Sequence, residues 1–283
     1  DVLRNMWGFK GMVVTDYTAI EEMIAHGMGN LQQVSAMALN AGTDMDMVSD
    51  GFVGTIEKSI KEGKVSEVTV NTACRRILEA KYKLGLFDDP YRYCSEKRAK
   101  KEIFTPEHKA IARKIAAETF VLLKNEGNLL PLQKKGKIAL VGPLADTRSN
   151  MSGTWSVAAR LNDNKTVLQA FKEAVGNKAE VLYAKGSNLL YDAKREADAT
   201  MFGREMRDLR SAEEMLKEAI AVAKQADVIV AAVGESSEMS GECSSRTNLE
   251  IPDAQKNLLA ALKKMGKPIV LVNFSGRATH GES

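Results

Sequence analysis

Two acidic residues stand in contexts that suit paired acid chemistry. Asp16 ends the β-branched run Val13-Val14-Thr15-Asp16. Glu242 lies far downstream, in the polar loop Val233-Gly-Glu-Ser-Ser-Glu-Met-Ser-Gly-Glu-Cys-Ser-Ser-Arg246. One carboxylate at a strand end and one on a loop from a distant segment are the minimum equipment for cleaving a glycosidic bond. Plainer readings compete. An acid after a strand is often a helix N-cap, yet the carboxyl ends of strands are where barrel enzymes place catalytic groups. Tyr17 offers a flat face for stacking on a sugar ring, or simply packs. The loop also carries Glu235 and Glu238, which are rival acids, and Arg246 near its end. A solvated loop is the bland alternative, but long loops in compact domains are usually functional.

The elements that must position these residues alternate between strand and helix. Gly11 to Thr15 reads as a buried strand after a Gly-Phe-Lys-Gly turn. Helices follow over 20–26, closed by Gly27, and over 31–40, closed by Ala41-Gly42. Asp44 to Val48 is a short strand. A helix over 54–62 stops at Gly63. Ser66 caps another, with Val70, Cys74, Ile77, Leu78 and Tyr82 as its apolar stripe. Leu86-Phe-Asp-Asp-Pro90 breaks that helix, and the charged stretch Ser95 to Glu102 has no apolar period, so it reads as a linker. Thr105-Pro106-Glu107 opens a helix that runs to about Asn125. Beyond it, strands are expected over 137–141, 180–183, 227–233 and 268–273, and helices over 165–175, 211–225 and 254–265. These strands are continuous apolar runs, the signature of a parallel sheet covered on both faces. In such sheets ligand groups gather at the carboxyl ends of strands, and the loop with its three acids directly follows the most apolar one. The expected domains are 1–86, a linker and connecting helix over 87–124, and 125–283.

Composition removes several classes. The 283 residues carry 40 Lys and Arg against 37 Asp and Glu, a net charge of +3, which gives no reason to expect nucleic acid or an anionic membrane as partner. Cys74, Cys94 and Cys243 have neither metal spacing nor a disulfide framework, and His26, His108 and His280 are too scattered for a metal site, so no metal and no cofactor are expected. No apolar stretch reaches membrane-spanning length, and no basic segment with an apolar core opens the chain. There is no G-x-G-x-x-G after a strand, no Walker sequence and no G-x-S-x-G. Asn150, Asn164 and Asn273 head N-glycosylation patterns; the last ends an expected core strand, so a chance match is the plainer reading.

Longer runs carry a resemblance. Leu3-Arg-Asn-Met-Trp-Gly-Phe-Lys-Gly-Met-Val-Val-Thr-Asp16 resembles the nucleophile strand of glycoside hydrolase family 3. Ala38-Leu-Asn-Ala-Gly-Thr-Asp-Met-Asp-Met47, Arg75-Arg-Ile-Leu and Lys83-Leu-Gly-Leu-Phe87 resemble the segments that follow it. Thr119-Phe-Val-Leu-Leu-Lys-Asn-Glu126 with Leu129-Leu-Pro-Leu132 is similar to the start of that family's second domain. Gly142-Pro-Leu-Ala145, Gly153-Thr-Trp-Ser156, Gly241-Glu-Cys-Ser-Ser-Arg-Thr247 and Gly266-Lys-Pro-Ile-Val-Leu271 are similar to its bacterial periplasmic β-glucosidase branch.

The resemblance implies an α/β chain: the C-terminal remnant of a (β/α)8-type barrel followed by a flavodoxin-like α/β sandwich domain. It implies a retaining exo-acting β-glycosidase that removes terminal β-D-glucosyl residues, with a β-xylosidase or a noncatalytic sugar- or partner-binding module as alternatives. Asp16 matches the nucleophile and Glu242 the acid/base; only the motif match favours Glu242 over Glu235 and Glu238. Tyr17, Trp155 and Arg246 are the candidate substrate contacts. A retaining pair approaches to about 5–5.5 Å, and desolvation by a closing loop favours an acid that keeps its proton. A barrel of this kind takes about 250 residues, so the chain is expected to be an internal fragment, inactive alone, of a periplasmic or secreted parent. Its partner is an oligosaccharide or β-glucoside, and a homodimer of the parent is left open.

Overall fold

Helix starts in this chain are set by short polar side chains. In a computed structural model that describes residues 1–153, 155–156, 160–199, 207–242 and 244–279, Asn30, Ser66, Ser95, Thr105, Thr166 and Ser211 each accept a hydrogen bond from the backbone N–H three residues on. Each bond satisfies a donor that a helix start leaves without an intrahelical partner. Cys243 and His280 lie outside the described residues. The chain divides into two compact units, Asp1–Phe120 and Val121–Ser283.

The first unit opens with a π-helical turn, Val2–Met6, and continues with β1 (Val14–Tyr17), α1 (Ala19–Ala25), α2 (Leu31–Asn40), β2 (Met45–Met47), α3 (Gly51–Lys61), α4 (Glu67–Lys83), α5 (Glu96–Glu102) and α6 (Pro106–Glu118). β1 and β2 pair in parallel, Val14 opposite Met45 and Tyr17 opposite Met47. The core joins Ile20 of α1, Val34, Ala36 and Leu39 of α2, Phe52 of α3, Val65, and Ala73 of α4.

Several expectations change here. β1 starts three residues later than the apolar run suggested and is exposed rather than buried at Val14, Asp16 and Tyr17. An apolar run shows that a strand is suited to burial, not that a neighbour covers it. α4 turns Ala73 into the core and leaves Cys74, Leu78 and Tyr82 exposed. It ends at Gly85 (φ 68°), before the Asp-Asp-Pro break, with the Gly85 and Leu86 amides closing on Tyr82 O and Lys81 O. The segment read as a linker contains α5, a helix that Ser95 caps and that buries nothing. α6 stops at Glu118, because Thr119, Phe120 and Val121 are weak helix formers.

A buried carboxylate ties this unit together. Asp44 Oδ2 accepts from Arg4 Nη2 and from the Val13 amide, and Oδ1 accepts from Arg76 Nη1 at 2.8 Å. Arg4 also donates to Gly42 O, so the chain before β1, the start of β1, the turn before β2 and α4 all meet at one side chain.

The second unit is a four-stranded parallel sheet. Its elements are β3 (Lys137–Val141), α7 (Val167–Val175), β4 (Glu180–Ala184), α8 (Ala193–Ala199), α9 (Ala212–Gln225), β5 (Val228–Gly234), α10 (Asp253–Lys263) and β6 (Ile269–Phe274). The strand order is β4-β3-β5-β6, with Ala139 opposite both Leu182 and Ile229. Side chains alternate across the sheet. Ala139, Val141 and Ile229 pack against Ala219 and Ala223 of α9 and Leu258 and Leu262 of α10. Ile138, Leu140, Val230 and Ala232 pack against Leu168 and Val175 of α7. Helices on both faces explain why these strands read as unbroken apolar runs. The three glycosylation-pattern asparagines all donate their side-chain amides to neighbouring hydroxyls: Asn150 to Thr147, Asn164 to Ser152 and Asn273 to Thr279.

Asp208 anchors the approach to α9. Its backbone exchanges two hydrogen bonds with the Asn188 side chain, and its carboxylate receives Arg210 Nε and Nη2 while Arg210 Nη1 reaches Glu218 at 2.8 Å. The Arg210 side-chain and backbone hydrogen bonds hold the Asp208 carboxyl down at about 2.

Two outcomes follow. Asp44→Asn removes the buried carboxylate that two partly buried guanidinium groups share, and should lower the first unit's unfolding free energy by about 3 kcal/mol, measured by urea denaturation of this chain followed by far-UV circular dichroism. A change below about 1 kcal/mol, the size of an exposed ion pair, would remove Asp44 from that role. For Asp208, the folded carboxyl binds its proton less readily than the unfolded one. Its stabilisation is therefore whole above the ordinary 3.8 and is lost as pH falls towards about 2. Thermal melts of wild type and Asp208→Asn should differ at about pH 5 and converge near about pH 2; a constant difference across that window would contradict it.

Candidate active site

In the first unit, Asp16 occupies the third of four positions in β1, near its carboxyl end, and its side chain faces solvent. It is not the cap of α1: Thr18 holds that position, and Asp16 Oδ1 accepts only from the adjacent Tyr17 amide, at 2.7 Å. Among the described residues Oδ2 has no hydrogen-bond partner. The strand ends around it are locked. Thr15 Oγ1 accepts from Met47 N at 2.9 Å, and Thr18 N donates to Met47 O at 3.0 Å. Thr18 and Val48, both β-branched, take left-handed backbone angles of φ 57° and 71° just beyond the two strands. Each such position costs about 1–3 kcal/mol and persists only where its surroundings enforce it. Tyr17 follows Asp16 on the opposite face of the strand, 62% exposed.

In the second unit the site is built on the end of β5. Gly234 has φ 128°, and a Cβ there would lie 1.9 Å from Phe274 O, so glycine is required. The buried Gln255 side chain of α10 pairs with both backbone groups of Gly234, accepting from its N–H at 2.7 Å and donating to its carbonyl at 2.9 Å. Glu235 comes next, with its side chain only 1% exposed. Oε1 accepts from Arg246 Nη1 at 2.6 Å and lies 3.3 Å from Arg277 Nε; Oε2 accepts from Ser275 Oγ at 2.9 Å. An acid that protonates a leaving oxygen must be able to reach it, and both oxygens of Glu235 are already engaged by Arg246, Arg277 and Ser275.

The other loop residues fall into two groups. Arg246, a candidate substrate contact, donates to Glu235 and, through Nη2, to Glu250 O at 2.8 Å. Glu238 is half-buried on a 3-10 turn, and its carbonyl accepts from Ser244 Oγ. Glu242 is exposed, and among the described residues its carboxylate has no partner. A cavity of about 280 Å³ opens beyond the carboxyl ends of β5 and β6, close to the lower bound of about 300 Å³ for small-molecule pockets. Trp155 (71% exposed), Asn150, Glu235, Ser237, Gly241 and Phe274 are among the residues that line it. The cavity thus gathers the candidate Trp155 and the residue preceding Glu242.

Gln255, Ser275 and Arg277 were not singled out from the sequence, and Asn150 only as the head of a glycosylation pattern. Asn150 Oδ1 accepts from Ser237 N at 2.9 Å, and Arg277 Nη2 donates to Met239 O at 2.7 Å, so both hold the loop. The available signal was position: Ser275 and Arg277 directly follow an apolar strand, at the end where parallel sheets keep their sites. Among the described residues no cluster of His, Cys, Asp or Glu is placed to hold a metal ion, and no helix is long and apolar enough to cross a membrane.

Known proteins match both units. Residues 1–80 match the Glycosyl hydrolase family 3 N terminal domain and residues 120–282 the Glycosyl hydrolase family 3 C-terminal domain. The periplasmic beta-glucosidase of Salmonella typhimurium is 44% identical over 282 residues, which are 98% of this chain and 37% of that protein. A beta-xylosidase of Formosa agariphila is 31% identical over 98% of this chain and 38% of its own length. The crystal structure of a Listeria innocua beta-glucosidase in complex with glucose superposes with a TM-score of 0.78 at 34% identity, covering 98% of this chain and 35% of that one. The chain therefore spans little more than a third of the relatives it matches. On these matches, which cover both of its units, the chain belongs to glycosyl hydrolase family 3.

Proposed function

We propose that this chain carries the two catalytic carboxylates of a retaining, exo-acting β-glycosidase of the periplasmic β-glucosidase branch, acting on terminal β-D-glucosyl residues. One observation carries the reading: at the ends of these strands Asp44 and Glu235 are locked in ion pairs, while among the described residues the exposed Asp16 keeps Oδ2 without a partner and the exposed Glu242 keeps its whole carboxylate so. In the proposed double displacement, an Asp16 oxygen attacks the anomeric carbon as the glycosidic bond breaks, and Glu242 gives its proton to the departing oxygen. Glu242 then takes a proton from water, which attacks the anomeric carbon and releases Asp16. Net retention results from the two inversions. Tyr17 and Trp155 supply aromatic faces for the sugar, and Arg246 acts through the loop it holds.

The first unit is proposed as the last βα units of the family's barrel and the second as its flavodoxin-like sandwich. The order β4-β3-β5-β6 supports the latter, since it repeats the first four positions of the doubly wound order 2-1-3-4-5. The name of the Salmonella relative supports a glucoside substrate and a periplasmic location; the Formosa relative keeps a β-xyloside as the alternative. We expect the isolated chain to be inactive. A second reading, a noncatalytic sugar-binding module, is favoured by the cavity's lying wholly within the second unit. Calorimetry with glucose and cellobiose separates them, because tight binding by the isolated chain supports the module.

The test is a chimera in which this chain replaces the matching 37% of the Salmonella protein. It should hydrolyse phenyl β-glucoside with retention of anomeric configuration, seen by proton NMR of the first-formed sugar. Asp16→Ala should abolish turnover. Glu242→Gln should lower kcat/KM for the phenyl glucoside by about 10²–10⁴-fold and spare kcat/KM for a dinitrophenyl glucoside, whose leaving group departs without a proton, while kcat for both falls because water loses its base. A folded chimera that inverts, or that keeps full turnover without Asp16, overturns the assignment.

A further inference from the structure

The end of β6 supplies groups that complete the frame of the Glu242 loop. Ser275 and Arg277 reach Glu235, and Arg277 also reaches Met239 O inside the loop. From the other end of the loop, Arg246 reaches Glu235 and then Glu250 O. Ser237 N is held by Asn150, and a side chain at Gly276 would meet Ser240 Oγ at 2.5 Å, so the loop and the segment after β6 lie in direct apposition. One buried carboxylate therefore joins the start of the loop, its end and the neighbouring strand terminus.

We propose that Glu235 is a positioning residue: it clamps the base of the 236–246 loop so that Glu242 projects from a fixed frame with its own carboxylate free. The proposal rests on the preceding reading only in naming Glu242 as the acid. The clamp itself stands on contacts. Two guanidinium groups face Glu235, and each binds a backbone carbonyl with its remaining nitrogens, so neutralising Glu235 releases both arginines and with them both ends of the loop. The sheet is held separately, through its cores and through Gln255, so the loop can loosen without unfolding the unit.

Hydrogen exchange by mass spectrometry on this chain tests the clamp. Glu235→Gln should speed exchange in peptides spanning 236–246 by about tenfold or more and leave β3 and β5 peptides unchanged; Glu242→Gln should change neither. Unchanged exchange over 236–246 in Glu235→Gln overturns the proposal. If Glu235→Gln instead unfolds the whole unit, Arg246→Lys, which keeps the charge and loses the fork, decides: a loosened loop on an intact sheet supports the clamp, and any other result overturns it. In the chimera, Glu235→Gln should slow phenyl glucoside more than dinitrophenyl glucoside, a leaving-group dependence that general destabilisation does not produce. Should Glu242→Gln show no such dependence while the exchange results hold, the acid assignment fails and the clamp survives.

Discussion

A carboxylate taken out of water has to find its countercharge within the protein, and in each unit of this chain one such carboxylate organises the segments around the strand ends. Removing an ion from solvent costs several kcal/mol, recovered only when partners with good geometry converge on it. Asp44 and Glu235 meet that condition in the same way, each facing two guanidinium groups and one further donor. The partners come from distant places: Arg4 and Arg76 for Asp44, Arg246 and Arg277 for Glu235. Satisfying the charge therefore ties together segments that lie far apart in the sequence. In the first unit it sets where β1 begins; in the second it sets how the chain leaves β5 and returns after β6.

The same constraint sorts the acids. Composition and local context present Asp16, Asp44, Glu235, Glu238 and Glu242 as comparable side chains at strand ends or in loops. Their chemistry differs because partners differ. The oxygens of Asp44 and Glu235 are engaged by cations and one further donor each, whereas Asp16 and Glu242 retain reachable oxygens on backbone that is held from elsewhere. In β1 that hold comes from Thr15 and Thr18 bonding to Met47; in the loop it comes from Asn150, Arg246 and Arg277. A free carboxylate on a fixed backbone is what both nucleophilic attack and proton transfer need.

Legibility in the sequence follows the range of the interaction. Caps act over three residues, so Ser66 and the Thr105-Pro106 pair were readable as helix starts. The strands of the second unit were readable because both faces are covered, which leaves an unbroken apolar run at Ile138 to Val141 and Val228 to Val233. β1 misled for the complementary reason: Val13-Val14 looks equally apolar, but what lies against a strand is not written within it. α5 was missed because its capping is local while its faces are uniformly polar, which leaves no period to detect. The status of Glu235 was the least legible. Its decisive partners, Ser275 and Arg277, lie some forty residues on, and only the register of β5 against β6, Gly234 opposite Phe274, brings them together.

Placing the clamp at the base of the loop rather than at its tip has a physical rationale. Tying two points of a short segment together costs loop-closure entropy once, and it restricts every residue between them. A direct ion pair to Glu242 would restrict that residue more, but it would occupy the oxygens that have to meet a substrate and would oppose any change in its charge. Holding Glu235 instead separates the two requirements. In the proposed clamp the buried acid carries the electrostatic attraction that orders the loop. The exposed acid is then ordered through the backbone alone, with its carboxylate left open to solvent. In the proposed assignment the glutamate nearest the strand is suited to burial and anchoring by its position, and Glu242, further along the loop, keeps its carboxylate exposed.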